Sequence, residues 1–527
     1  MKYLLNGLFL FLLVPAVSGQ RVRSYDLVKD FGARADNKTD CYPALLNAAA
    51  TISKAGGGVL VIPKGNYYIS VYKNNNGPAN NKVTDIVFRN CNDLTIRGNG
   101  SKLRINGSFT RSADYTLPGV SFHYAYNNTV IPFVFTNCKG LVLQDISIDG
   151  GVTGMKKEAG VAEGECYGVF INDMQPGEVS SRILIRNVTA NHFAADGFQV
   201  RSNGDHIILD NCIAKNNARQ GLSIVRGKNI KCTNCVFDST GFTGAYGWHA
   251  PGAGIDIENE FGAGNLDDVT VTNCQLRSNR GFQVESNLGC NRILIDSCFI
   301  ADVTYGYSDA VNGVGMYSLN SVLSNCIIFG GIQVDIADQI YKGPAVQLIS
   351  RNLVYSGRRG IVSADFGRPV TISDNILVML PHPALDDYFP YIQNYNCRFN
   401  RNIIVVHADR IKKSPNIVTA LVQSTIEAKN DLWLMNGYDI PAAAQTQVYY
   451  YPAFNGTKDQ VYQFFPPNEK IAALKYATFK SMTSEQVNTI LSAPLFTAYT
   501  QTGFSKKWLV QADAVRKNAM NIIAGTK

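Results

Sequence analysis

A short motif recurs along the middle of the chain, a glycine followed by apolar and polar residues in alternation. It reads GVFIND from Gly168, GFQVRS from Gly197, GLSIVR from Gly221, GIDIEN from Gly254, GFQVES from Gly281 and GIQVDI from Gly331. Between most copies lies a second strand-like run that closes on a Cys, as in HIILDNC, NIKCTNC, DVTVTNC and RILIDSC. From Gly197 the starts fall at 221, 254 and 281, giving rungs of 24, 33 and 27 residues. Short strands at such a period cannot bury their apolar faces alone and must stack on copies of themselves, which is the mark of a solenoid. The polar alternation excludes strands covered by helices on both faces. The rungs are also too short and uneven for propeller blades. The expected fold is all-β, a single-stranded right-handed parallel β-helix.

Twelve cysteines would suggest disulfides in an exported chain. Their placement points elsewhere. Asn-Cys occurs at 90–91, 137–138, 211–212, 234–235, 273–274 and 325–326, with Ser297-Cys298 as a near match. A dipeptide that returns in one structural context is a repeat signature, and a buried thiol behaves as a small hydrophobe. Most of the cysteines are therefore expected to form a core ladder. Asn suits the accompanying turns because it tolerates left-handed backbone and bonds locally. The CxxC of KCTNC (231–235) has no second pair and does not read as a zinc site.

The N-terminus reads as a secretory signal over 1–19: one lysine, an apolar run too short to span a bilayer, then Val17 and Gly19 before Gln20. The expected location is secreted or periplasmic, with no membrane association after signal removal. Formal net charge is +8, scattered without basic runs, so nucleic acid is not indicated as a partner. Residues 20–70 read as a cap, 71–430 as the β-helix and 431–527 as a tail that packs on it. In the cap, Asp40 is placed to start a helix whose Tyr42, Leu45, Leu46, Ala49 and Ile52 form one apolar stripe, and Gly56 to end it.

This cap, YDLVKDFGARADNKTDCYPALLNAAATISKAGGGVLVIPKGNYYIS (25–70), resembles the N-terminal signature of the pectate-lyase-like superfamily. The resemblance rests on DFGA, TD before a helix, GGGVLVIPKG and the following YYIS. It implies a β-helix and an exported polysaccharide lyase, glycoside hydrolase, epimerase or tailspike, and it specifies fold far better than reaction. Asp196-Gly197 and Gln220-Gly221 loosely resemble the DG and HG points of polygalacturonase-like hydrolases. The paired aspartates and RIK of that group are missing, and Gln220 stands where histidine would fall.

The candidate chemistry sits on the glycine-led strands. Positions one and three after each glycine are apolar and point inward: Phe198 and Val200, Leu222 and Ile224, Ile255 and Ile257, Phe282 and Val284. Positions two and four face out and stack in columns. One column reads Gln199, Ser223, Asp256, Gln283 and Gln333; the other reads Arg201, Val225, Glu258, Glu285 and Asp335. In that register Asp256, Glu258 and Glu285 converge, with Glu258 and Glu285 on adjacent rungs about 4.8 Å apart. Carboxylates so placed shift one another's titration and supply the acid and the carboxylate of glycoside hydrolysis. Gln199, Gln283, Arg201 and Arg219 would bind substrate. The insertion 237–253 adds Tyr246, Trp248 and His249 as a wall with aromatic platforms for sugar rings.

Two other readings use the same surface. The trio could hold calcium, an oxygen-liganded ion, while Arg201, Arg219 or Arg280 serves elimination on a uronate-containing glycan. Otherwise the surface could be a glycan-binding or structural β-helix without catalysis. No cofactor is required for hydrolysis, the expected partner is a polysaccharide, acidic in the lyase reading, and the sequence leaves metal ligands and oligomeric state open.

Overall fold

A computed structural model describes residues 23–71, 83–105, 110–111, 129–157, 166–260, 265–287, 289–302, 312–334, 347–356, 360–363, 370–379, 392–400, 402–407, 423–429, 432–436 and 479–482. The proposed signal, Asp335 and most of the tail lie outside them. None of the helices among the described residues is long and apolar enough to cross a membrane.

Each rung contributes to three stacks of parallel strands. In the first, Phe198 pairs with Leu222, Leu222 with Ile255, Ile255 with Val284, Val284 with Val314, and Val314 with Ile332. A second runs Ile183, Ile207, Ile230, Val269, Ile293. A third runs Ile213, Val236, Gln275, Phe299, Ile327, Leu353. The stacks join through long bent strands such as Asp196–Asp210 and Gln220–Thr233. The inward residues are fully buried and form one core along the axis. Each return to the same parallel sheet is a crossover, and such crossovers are right-handed. The fold is a right-handed parallel β-helix. Parallel pairing continues past residue 430, where Trp433 faces Phe479.

The cap helix spans Tyr42–Ala55. It buries Tyr42, Ala44, Leu45, Ala48, Ala49 and Ile52, while Leu46 is only half-buried. Its N-cap is Cys41 rather than Asp40. Asp40, one residue earlier, accepts hydrogen bonds from the backbone N–H groups of Tyr42 (3.1 Å) and Ser70 (3.1 Å), so it ties the helix start to a strand. Gly56 ends the helix in left-handed backbone, φ 78°.

The eleven cysteines from Cys41 to Cys326 are buried thiols, as expected, but the Asn-Cys pairs occupy two different turns rather than one. Asn90-Cys91 and Asn137-Cys138 lie between the first and second stacks, where the Cys138 N–H reaches Ser180 Oγ at 3.1 Å. Asn211-Cys212, Asn234-Cys235, Asn273-Cys274 and Asn325-Cys326 lie between the second and third. Both turns need the same local chemistry, a left-handed residue followed by a small buried one. All six asparagines have φ between 51° and 57°. Toward the C-terminus the column changes from thiol to amide: Cys326 N–H donates to Asn352 Oδ1, Asn352 to Asn375 Oδ1, and Asn375 to Asn402 Oδ1.

Candidate functional site

The strand Ile255–Ile257 carries Asp256 outward from the core, between Ser223 on one side and Glu285 on the other. That register corrects the sequence alignment by two residues. Gly281 does not lead its strand; Gln283 takes the place that Gly254 holds one rung earlier. Gln283 is drawn into the turn by its own amide. Its Oε1 accepts from the N–H (3.0 Å) and side chain (2.9 Å) of Asn279, and its Nε2 donates to the carbonyls of Asn279 and Asn312. It is wholly buried, so the residue expected to bind substrate has its amide committed to the turn instead. Glycine is needed at 254 because an added Cβ would lie 2.5 Å from both Asn279 Nδ2 and the Gln283 carbonyl.

The shift moves Glu285 out of the Glu258 column and places it opposite Asp256, so the first outward column reads Gln199, Ser223, Asp256, Glu285, Gly315, Gln333. Adjacent members are about 4.8 Å apart at the backbone. Phe282 leaves the core. It sits half-buried against Tyr317, with ring centroids 6.2 Å apart, beside Gly315 and Glu285. The expected open face is in fact enclosed: Gln199, Ser223, Asp256 and Glu285 are all buried, Asp256 completely and Glu285 to 7% exposure. Glu258 is the exposed member of the trio.

Two amides hold Asp256. Gln220 Nε2 donates to Oδ2, and Asn287 Nδ2 donates to Oδ1 at 3.3 Å. Neither partner is evident from residue spacing, because each comes from a different rung. Gln220 is 2% exposed, and its own Oε1 has no donor. Glu285 Oε1 and Gln199 Oε1 are likewise buried without a donor. Burial pushes Asp256 well above the usual carboxylate range, the charges of Glu285 and Glu258 push the same way, and Arg219 opposes them. Burial, then Glu258, raises Glu285 to about 7. Amide donors favour the charged form of Asp256, whereas Glu285 Oε1 is given none. A proton shared by this pair near neutrality is therefore best placed on Glu285.

Arg219 is committed elsewhere, forming a two-pronged ion pair with buried Asp196 at 2.8 and 2.6 Å. Of the insertion's three predicted wall residues, Trp248 alone is not buried, with the Arg280 guanidinium 4.4 Å from its ring centre, and Phe242 is the insertion's exposed aromatic side chain. Tyr246 and His249 are buried, 5.8 Å apart, and plug the loop against earlier rungs. The His249 N–H bonds the Ala218 carbonyl (2.9 Å), and the turn Gly244–Tyr246 packs on Val152–Gly154.

Asp256, Glu258 and Glu285 do not gather as a cluster of three metal-ligating atoms among the described residues. Among the described residues, the one cluster of three metal-ligating atoms is Cys232, Cys235 and Cys274. Burial pushes these thiols well above their ordinary range. The Cys235 and Cys274 thiols face backbone carbonyls at 3.2 and 3.3 Å, an arrangement that favours S–H over thiolate.

Part of the chain matches a family model of the same architecture. A family described as "right handed beta helix region" matches residues 177–261. Over 148 residues, 27% of the chain, the sequence is 26% identical to alpha-1,3-galactosidase B of Bacteroides thetaiotaomicron. Over 218 residues, 38% of the chain, it is 26% identical to alginate lyase 7 of Azotobacter vinelandii. These matches span only 20% and 23% of the two relatives. Among solved structures, the Agl-KA catalytic domain superposes with a TM-score of 0.46 at 13% identity, covering 80% of this chain and 70% of that one.

Proposed function

We propose that the protein is an exported glycoside hydrolase that cleaves a polysaccharide laid along the first strand stack. The observation that carries this reading is the in-register pair Asp256–Glu285, buried, raised in proton affinity and bordered by exposed Glu258. Glu285 is the proton donor: its carboxyl holds a proton near neutrality and, at 7% exposure, lies at the edge of the enclosed column. Glu258 is the second carboxylate, charged and open to solvent, which acts on water or on the sugar carbon from the same wall. Asp256 touches no solvent and acts through Glu285, with Gln220 and Asn287 fixing its orientation. Trp248 and the Phe282–Tyr317 pair offer apolar surface to sugar rings on either side. The segment related to alpha-1,3-galactosidase B supports this class.

The second reading is elimination, favoured by the arginines beside the acids and by the segment related to alginate lyase 7. Incubation with a polysaccharide panel separates the two when reducing ends and the absorbance of unsaturated uronates are followed together. Reducing ends without unsaturation are the expected result. Unsaturation appearing in step with new ends overturns hydrolysis in favour of elimination, and loss of that activity on chelation would assign a role to calcium. Binding with neither product leaves a non-catalytic module.

A further inference from the structure

Two residues beyond Gln199, the next outward side chain is Arg201. Plain alternation would set Val225 opposite it, giving an aliphatic surface. The structure instead takes up Val225 as a bulge: Val200 pairs with Ile224, and Arg201 pairs with Arg226. Val225 is 1% exposed, so the bulge hides the aliphatic group and turns a second guanidinium outward. Bulges re-aim side chains in this way and concentrate beside active sites.

The result is unfavourable for the empty protein, since like charges directly opposed across neighbouring strands repel. Arg226 is held below its ordinary value by burial first and by the charge of Arg201 second, with Asp173 and Glu260 acting against both. Both side chains are nevertheless fixed. Arg201 lies 5.3 Å from the centre of the Phe170 ring, with Nη1 3.2 Å from the Met174 sulfur and Nη2 3.9 Å from Glu260. Arg226 Nη1 donates to Asn203 Oδ1 (2.7 Å) and the Asp173 carbonyl (3.3 Å). Glu258, whose N–H bonds the Ile224 carbonyl at 3.0 Å, follows in the same outer lane one rung on.

We propose that Arg201 and Arg226 form a subsite for an anionic group on the glycan, a carboxylate or a sulfate ester, so that the substrate is an acidic polysaccharide. The inference rests on the proposed glycan-cleaving function and names its substrate class. A planar guanidinium pair matches a carboxylate or sulfate geometrically, and an anion between them cancels the repulsion.

The test is affinity electrophoresis of the E285Q protein, which spares the polymer, in gels containing polygalacturonate, carboxyl-reduced polygalacturonate, dextran sulfate or dextran. Retention by polygalacturonate or dextran sulfate should exceed that by the matching neutral gel about tenfold or more. Whichever acidic gel retains the protein identifies the anion. Arg226→Gln and Arg201→Gln, with unchanged thermal unfolding, should each weaken acidic retention about tenfold, Arg226→Lys less, and added salt should weaken it further. Equal retention by acidic and neutral gels, including none in any, overturns the subsite, as does undiminished acidic binding by both glutamine variants. Cleavage of a neutral polymer unaffected by the arginines sinks the subsite alone. Arginine-dependent binding without cleavage by the native protein sinks the hydrolase alone.

Discussion

The turn between the second and third stacks and the outward column of the first stack are products of the same repeat, yet their buried polar groups are treated in opposite ways. In the amide part of the turn each asparagine meets the next asparagine of the ladder. Asn375 Oδ1 accepts from the N–H and side chain of Asn352 (2.9 and 3.0 Å), while its Nδ2 donates to the Ile349 carbonyl (2.9 Å) and Asn402 Oδ1 (3.0 Å). In the column, neighbours differ from rung to rung, and oxygens of Gln199 and Glu285, like that of Gln220 beside them, are left buried without donors. A ladder of identical residues is self-satisfying and serves stability. A column of unlike residues with unmet acceptors is costly to keep.

The largest effect should come from the column. Glu285→Gln is expected to lower kcat/KM by about 10²–10⁴-fold while leaving the protein folded, as read by steady-state kinetics and circular dichroism. Near-native activity would end the assignment of the proton donor. Asn375→Ala should do the reverse. It strands two backbone groups, so equilibrium denaturation should show a loss of about 1–3 kcal/mol with kcat unchanged. Gln220→Ala tests the join between amide and acid. With one donor removed, the Asp256–Glu285 pair holds its proton more tightly but less of it on Glu285. The alkaline limb of the pH–kcat profile should then move up as kcat falls about tenfold. A loss of activity without movement of the limb would give Gln220 a purely structural role.

Stability against pH separates the regions further. Glu285 binds its proton more tightly folded than unfolded, so its contribution to stability is complete below about 4.5 and is lost as pH rises through about 7. The midpoint of thermal unfolding should fall across that window in the native protein and change less in the E285Q variant. The smallest effect belongs to the thiol part of the ladder. Cys235→Val removes the sulfur that the Cys212 N–H meets at 3.3 Å and should cost about 1 kcal/mol, with no effect on catalysis.

The same contrast explains what could be read from the chain. The β-helix and the buried thiols follow from residues that repeat in kind, and the cap helix and its end at Gly56 from a local apolar stripe and a left-handed glycine, so pattern and structure coincide. The two turns occupied by Asn-Cys were merged because both demand a left-handed residue before a small one. The column's register was not legible past residue 257. Gln283 has the composition of an outward strand residue, and only its bonds to Asn279 show that it belongs to the turn. Val225 misled in a similar way, since a bulge leaves no mark on an alternating pattern. Asp256, Glu258 and Glu285 still come together electrostatically, but the stacked pair is Asp256–Glu285 rather than Glu258–Glu285.

The proposed chemistry requires a carboxyl proton retained on Glu285 next to Asp256 at near-neutral pH. Difference infrared spectroscopy between the native protein and E285Q reads it directly. A protonated-carboxyl band is expected, present below and lost as pH rises through about 7, that disappears in the variant. A spectrum with only ionised carboxylate at Glu285 below that pH would contradict it.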